Sequence, residues 1–131
     1  MPQVNVSVGV DFTNVVMQGG SLVGTPNWTV SPDPLEVHNG NNNITWTLTV
    51  SNLPQGCSAA FDPSNPIVFK SNNSQQWVGS APAVQRDGTV TAGDNFQGLT
   101  AAVNFYYSIN LAVSITTSQA FSKDPDIENE P

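Results

Sequence analysis

The residues that most often carry catalysis and metal binding are scarce in this chain. Among its 131 residues, His38 is the single histidine and Cys57 the single cysteine. A Ser–His–Asp triad would need His38 as its base, and no G-x-S-x-G elbow accompanies it. Zinc sites and CxxC redox pairs need further cysteines or histidines. We therefore expect no enzyme and no cofactor, with His38 an exposed structural residue and Cys57 a small buried one.

A short acidic string near the C-terminus is the one candidate for a metal site. Asp124, Asp126 and Glu128 alternate along the chain, so an extended segment would place them on one face. Such oxygen-rich strings can bind Ca²⁺, which takes about six to eight oxygen ligands. Pro125 and the lack of a glycine break any EF-hand pattern, so the favoured alternative is a solvated acidic tail over 124–131. Turn formation is the expected role of the other aspartates in predicted turns: Asp33, Asp62, Asp87 and Asp94.

Three aromatic residues form the clearest candidate for a binding surface. Trp28, Trp77 and Tyr106 do not fall clearly on the apolar faces of predicted strands. An exposed ring can stack on the C–H face of a sugar while neighbouring amides bond its hydroxyls, and amphipathic aromatics are enriched at protein interfaces. If exposed, the three residues would bind a glycan or a protein partner. The alternative is that the rings fill the core or its rim.

The charge balance excludes several classes of partner. The net charge is −7, and the only basic residues are Lys70, Arg86 and Lys123. Three scattered cations cannot neutralise a row of phosphates, so neither nucleic acid nor an anionic membrane surface is expected. No apolar stretch approaches the ~18 residues of a membrane span. Met1-Pro2-Gln3 does not begin a signal peptide, so a cytoplasmic protein, or one exported without a visible signal peptide, is expected.

Alternating apolar and polar residues are the dominant pattern of the sequence. Long runs of this kind occupy 4–12, 44–51 and 103–116, and each predicts a strand with one buried face and one wet face. Weaker strands are predicted at 28–37, interrupted by two prolines, and in several short segments between 57 and 91. About seven to nine strands, spaced by turns, predict a single antiparallel β-sandwich over 1–123.

The tryptophan of the second long run lies where immunoglobulin-like domains place their core tryptophan. Trp46 resembles that residue, and Asp94 followed by the strand with Tyr106 and Tyr107 resembles the region of the tyrosine corner. The cysteine pair of antibody domains is missing, and Asp94 lies farther from the tyrosines than that corner requires. The resemblance therefore implies an immunoglobulin-like architecture and no antibody-type identity.

The C-terminal segment resembles a second pattern. The Asp-Pro-x-Ile-x-Asn sequence at 124–129, together with the Trp-x-Leu strand at 46–48, is similar to segments of small bacterial β-sandwich proteins. This resemblance covers about two thirds of the chain and implies no known activity.

Three functions remain open at the level of the sequence. The favoured one is a non-catalytic module that binds a protein or a carbohydrate. The alternative is a structural or self-assembling sandwich that forms homo-oligomers through an edge strand. A hydrolase is the least favoured, because no spacing singles out a pair of carboxylates.

Overall fold

A computed structural model describes residues 3–33, 35–38, 40–69, 81–94, 103–115 and 118–130. The chain is all-β, and no helix occurs within these residues. The strands are β1 Gln3–Asp11, β2 Val16–Gln18, β3 Ser21–Val23, β4 Asn27–Ser31, β5 Leu35–His38, β6 Asn42–Ser51, β7 Ser58–Phe61, β8 Ile67–Phe69, β9 Ala83–Val84, β10 Val90–Asp94, β11 Val103–Ser114, β12 Ser118–Lys123 and β13 Asp126–Glu130.

The first sheet has five strands in the order β4-β1-β6-β10-β9. β1 pairs antiparallel with β4 and parallel with β6, while β10 pairs antiparallel with β6 and β9. The strict alternation of β1 and β6 lets each present valines or larger apolar residues to one side and small polar residues to the other. These two strands carry most of the surface described below.

The second sheet is built around β11, the longest strand. β12 and β13 pair along one side of β11 in an unbroken register, and β5 pairs parallel with β13. Between β12 and β13, Pro125 cannot donate a ladder hydrogen bond, but its carbonyl still accepts one from the Tyr107 N–H (3.2 Å). β7 and β8 pair with the other side of β11.

A polar loop at 62–66 separates β7 from β8 and is held by one residue of β11. The Asp62 N–H donates to the Asn110 carbonyl and the Asn110 N–H donates to the Pro66 carbonyl, both at 2.9 Å. The Asn110 side-chain amide adds a bond to the Asn65 carbonyl (2.9 Å). These hydrogen bonds to Asn110 keep β7 and β8 on the same side of β11, although the loop at 62–66 separates them.

The two larger sheets pack against one shared core in a sandwich-like arrangement. Trp46 of the first sheet and Tyr107 of the second are both fully buried, and their rings lie 6.0 Å apart with the indole N–H donating to the phenol oxygen (3.4 Å). Phe12 and Phe121 meet edge-to-face at 5.6 Å. The buried apolar residues that surround these pairs include Val6, Val8, Val10, Leu35, Val37, Ile44, Phe61, Ile67, Val90, Ala92, Ile109, Leu111 and Val113.

A short hairpin of β2 and β3 covers one end of the core with Leu22. Gly19 and Gly20 form its two-residue turn, and both have positive φ (57° and 82°), which a type I′ turn requires. The hairpin is tied to β12 by the Gln119 side chain, which accepts from the Leu22 N–H (3.0 Å) and donates to the Leu22 carbonyl (2.9 Å). One side-chain amide thus replaces a pair of ladder hydrogen bonds.

Three features differ from the prediction. The interrupted strand predicted at 28–37 is two strands in different sheets, because the proline-containing turn after Ser31 carries the chain from β4 to β5. The sandwich is not wholly antiparallel, since β1 with β6 and β5 with β13 are parallel pairs. The described strand segments also outnumber the seven to nine expected, because prolines and loops divide long edges into shorter pieces.

The acidic segment expected to form a tail is also part of the fold. Asp126–Glu130 is strand β13 and lies between β11 and β5. The reason is the pairing register of β12, which continues past Pro125 and gives this segment a ready partner in β11.

Candidate functional site

The outward side of the first sheet is covered by small polar side chains from its neighbouring strands. The register between β4, β1 and β6 aligns these residues in three rows of three across the sheet. We call this set the Gly9 grid: Ser31, Ser7 and Thr47; Thr29, Gly9 and Thr49; Asn27, Asp11 and Ser51. Gly9 and Asp11 are half-buried and the other members are exposed.

The margins of this surface are already hydrogen-bonded within the protein. Beyond one end of the grid, Gln3 Nε2 donates to Asn5 Oδ1 (3.1 Å) and Thr45 Oγ1 (2.9 Å), and Asn43 Nδ2 donates to Gln3 Oε1 (2.8 Å). These four residues form a closed network. Their polar groups therefore have less remaining capacity to bind anything else.

The hydroxyl groups of the grid are different, because they have no partner among the described residues of the chain. Exposed side-chain oxygens that no described protein group bonds are carried by Ser7, Thr29, Ser31, Thr47, Thr49 and Ser51. In solution these hydroxyls bond water, which a ligand with matching donors and acceptors can replace. The unused hydrogen-bonding capacity of the face therefore lies in the hydroxyls of the grid, on both sides of Gly9.

Gly9 is a glycine that the fold does not require. It lies inside β1 with extended backbone, so no positive φ demands it. A Cβ placed there would meet the Thr29 carbonyl oxygen at 3.6 Å and the Thr29 Cβ at 3.8 Å, which are ordinary contact distances. A strand glycine weakens the strand and often marks a place where a ligand approaches the backbone. Its bare backbone forms the floor of a shallow depression between Thr29 and Thr49.

Asp11 is the only charged member of the grid, and its carboxylate is held by neighbouring residues. Its Oδ1 accepts from the Thr13 hydroxyl (2.6 Å), the Asn52 amide (2.9 Å) and the Thr13 N–H (3.0 Å). These bonds, the Thr13 hydroxyl first, hold the pKa of Asp11 below its usual 3.8. The charge is thus fixed in the middle of the last row of the grid and directed toward the turn that follows β1.

The aromatic residues predicted to bind a ligand do not form a single described surface. Trp28 is half-buried and packs against the core, because β4 directs it inward while Asn27 and Thr29 face outward. Trp28 therefore fits the alternative that its ring fills the rim of the core, and it is not an exposed platform. Trp77 lies outside the described residues, and for Tyr106 only the backbone in β11 is described. A binding role for these two residues stays a prediction.

The predicted calcium ligands are positioned by β12, β13 and the break between them. Asp124 is exposed and accepts from the Ser108 hydroxyl (2.7 Å). Asp126 and Glu128 are placed by backbone alone, opposite Tyr106 and Asn104 of β11. Within the described part of the chain, no three His, Cys, Asp or Glu side chains come together as a metal site would need.

Of the other aspartates predicted in turns, Asp62 and Asp87 stabilise turns, whereas Asp94 is buried at the end of strand β10. Asp62 accepts from the N–H groups of Ser64 (2.8 Å) and Asn65 (3.0 Å), which confirms its predicted turn. Asp87 accepts from the Thr89 hydroxyl (2.7 Å), the main cause of its lowered pKa. His38 is exposed, as predicted, and Cys57 is half-buried against the core.

A shallow groove of about 460 Å³ lies beside β7 and offers little chemistry. Small residues such as Ala60, Ala112 and Ser114 form most of its wall, together with Phe61 and Val84. Among the described residues, no titratable side chain lines it. This groove therefore supplies neither a nucleophile with a base nor a pair of carboxylates.

A pattern in the sequence indicates this polar face, although the prediction did not include it. Asn5-x-Ser7, Asn27-x-Thr29 and Asn43-x-Thr45 read as glycosylation motifs, and Thr45, Thr47 and Thr49 alternate within one run. In a strand, residues two apart share a face, so each motif contributes an amide and a hydroxyl to the same side of the sheet. The sequence could not show that the three motifs lie in one sheet, because the pairing of β1, β4 and β6 joins segments that are distant in the chain.

Comparison with known proteins adds no relative. The sequence matches no protein-family model and no curated protein. Within the described residues, no helix is long and apolar enough to cross a membrane. The function of this chain is therefore inferred from its own surfaces.

Proposed function

We propose that this protein is a non-catalytic binding module whose binding surface is the outward face of its five-stranded sheet. The observation that carries the proposal is the set of unengaged hydroxyls around Gly9. Beyond one end of the grid, polar groups bond one another, whereas the grid hydroxyls bond no described protein group. A surface whose only role is to keep the protein soluble would need neither a group of hydroxyls without protein partners nor a glycine in the middle of a strand.

The distribution of carboxylates supports binding rather than catalysis. Asp11, Asp62 and Asp87 each bond residues two or three positions further along the chain, which is the role of a turn residue. A hydrolase would instead bring two titratable groups to one cleft. The groove beside β7 is lined by none.

The edges formed by β4, by β7 with β8 and by β9 favour a binding module over self-assembly by strand pairing. Pro26 and Pro32 flank β4, Pro63 and Pro66 interrupt the edge formed by β7 and β8, and β9 has two residues. Short, proline-bounded edges are a common protection against pairing between chains. A ligand bound on the face of a sheet does not need an unpaired edge strand, so these protected edges agree with recognition through the sheet face.

An immunoglobulin-like class for the sandwich is part of the same proposal. Support comes from the buried Trp46, which contacts Tyr107 across the interface between the sheets. Immunoglobulin-like sandwiches commonly bind through exposed surfaces supported by a rigid pair of sheets. This class assigns no ligand by itself.

Removal of hydroxyl groups from one face at a time tests the proposed function. An array of glycans and peptides would be probed with the unmodified protein and with the Thr47→Val/Thr49→Val double variant, which keeps side-chain shape and strand preference. We expect a ligand retained by the unmodified protein to bind the double variant about tenfold more weakly, because two hydrogen bonds are lost.

The matched control removes two hydroxyls from the outward face of the other sheet. Ser114→Ala/Ser118→Ala changes a cross-strand pair that lines the groove beside β7. Its binding should equal that of the unmodified protein. A ligand released by this pair instead, or an array on which nothing is retained, would contradict the proposed surface.

A further inference from the structure

We propose that the Gly9 grid is a subsite for a neutral polysaccharide, with the bare backbone of Gly9 as its floor. This inference rests on the proposed binding function and adds the chemical class of the ligand and its position. The surface offers hydroxyls from three adjacent strands, and the rows lie about 6.7 Å apart along strands spaced about 4.8 Å apart. A chain of sugar residues presents hydroxyls at similarly close and regular intervals.

Charge complementarity selects a neutral ligand. Neither lysine nor arginine belongs to the grid, and its one charged residue, Asp11, is an anion. The whole chain carries a net charge of −7, which repels phosphate, sulfate and uronic acid groups. The grid holds a single carboxylate, Asp11, whose Oδ1 is bonded by Thr13 and Asn52, so it offers no cluster of anions to a cationic ligand.

The composition of the grid also separates a polysaccharide from a protein partner. Protein interfaces take most of their binding energy from buried aromatic, arginine or large apolar anchors. The grid has none, because the apolar residues of β1 and β6 all face the opposite side of the sheet. What it offers are serine and threonine hydroxyls and the Asn27 amide, which both donate and accept.

Gly9 supplies the space that such a ligand needs. Thr29 and Thr49 stand on either side of it in the same row, so their hydroxyls border a gap with no side chain. A sugar ring lying over this gap would contact the Gly9 backbone with its C–H face and reach hydroxyls in the adjoining rows. Any side chain at position 9 would occupy that space, although the fold itself would accept one.

Affinity electrophoresis in native gels tests this inference, since the acidic protein migrates toward the anode. Gels would contain galactomannan, xyloglucan, mixed-linkage β-glucan or dextran, with polygalacturonate as the charged counterpart. We expect at least one neutral polysaccharide to retard the unmodified protein and polygalacturonate not to do so. Gly9→Thr should bind about tenfold more weakly or not at all, and Thr29→Val should weaken binding as well.

Ala120→Thr is the matched control, because it adds the same side chain to an exposed strand position on the outward face of the other sheet. It should be retarded like the unmodified protein, and thermal unfolding should show that each variant is folded. If Gly9→Thr and Thr29→Val were both retarded as strongly as the unmodified protein, the proposed site would be overturned. Retardation by polygalacturonate alone would overturn the ligand class. Neither result would remove the broader binding function, which fails if the array retains no ligand, or if a retained ligand is released by Ser114→Ala/Ser118→Ala and not by Thr47→Val/Thr49→Val.

Discussion

Gly24 and Gly9 differ in whether the backbone requires a glycine at their positions. Gly24 has a φ of +123°, and a Cβ there would collide with the Asn14 carbonyl oxygen. Gly9 has neither constraint, so its presence in β1 costs stability without any gain in the backbone. A residue kept against stability is typical of a functional surface.

Substitution of these glycines by alanine should therefore change stability in opposite directions. Gly9→Ala is expected to raise the free energy of unfolding by about 0.5–1 kcal/mol, because alanine has less freedom to lose on entering a strand. Gly24→Ala should lower it by more than about 1 kcal/mol. Urea denaturation of both variants measures this, and a loss of stability in Gly9→Ala would show that the fold does need glycine at position 9.

The hydrogen bonds around Asp11 give a second prediction for a single residue. Because its folded pKa lies below the ordinary 3.8, the ionised carboxylate stabilises the fold above that pH. This contribution is lost as the pH falls through the folded pKa. Asn52 has a positive φ of 55°, so Asn52→Gly removes its amide while keeping the local backbone.

The expected result of Asn52→Gly is an Asp11 pKa that moves up toward 3.8, followed by carbonyl NMR in an acid titration. Asp87 provides the internal control, since its pKa is lowered by Thr89 and should not change. An Asp11 that titrates at 3.8 or above in the unmodified protein would contradict the hydrogen-bond geometry.

At the scale of elements, the long strands were predictable and their partners were not. Alternation in the sequence identified β1, β6 and β11, because more buried and more exposed residues alternate along each strand wherever its side chains are described. The β2–β3 hairpin was missed, although Gly19-Gly20 is a known hairpin signal, because its strands are only three residues long. The jump from β4 to β5 was also missed, since proline marks a break without showing which sheet comes next.

The attachment of the hairpin depends on one side chain from β12. Gln119→Ala removes both bonds to the Leu22 backbone and should cost about 1–3 kcal/mol. Hydrogen exchange at the Leu22 amide should become faster, while amides of β1 and β6 keep their protection. Gln18→Ala, an exposed glutamine in the same hairpin, is the control and should leave exchange at Leu22 unchanged. Equal exchange rates in both variants would mean that Leu22 packing alone holds the hairpin.

At the scale of the whole molecule, the described edges and the net charge predict a monomer. Edge strands bounded by Pro26, Pro32, Pro63 and Pro66 resist pairing, and a charge of −7 adds repulsion between copies. Sedimentation equilibrium should give the monomer mass of 13.9 kDa even at high protein concentration. A mass that rises with concentration would favour the self-assembling alternative.

The candidate site belongs to the molecule as a whole, which is why the sequence alone could not identify it. Trp28 and Trp77 were candidates because of their residue type alone, whereas a single serine or threonine does not indicate a binding site. Their significance comes from three strands brought together by β1, with β4 on one side and β6 on the other. The composition did predict that a polar, weakly charged surface would exist, but not where its free hydroxyls would meet.

The central claim is that this protein binds its ligand on the outward face of the five-stranded sheet, around Gly9. The most direct test is an NMR titration of the ¹⁵N-labelled protein with an oligosaccharide cut from the neutral polysaccharide that retards it most. We expect saturable shifts of the Gly9, Thr29 and Thr49 amides, with little change at Ala112 and Ser118 on the other sheet. Shifts confined to Ala112 and Ser118, or none at any of these amides, would contradict the claim.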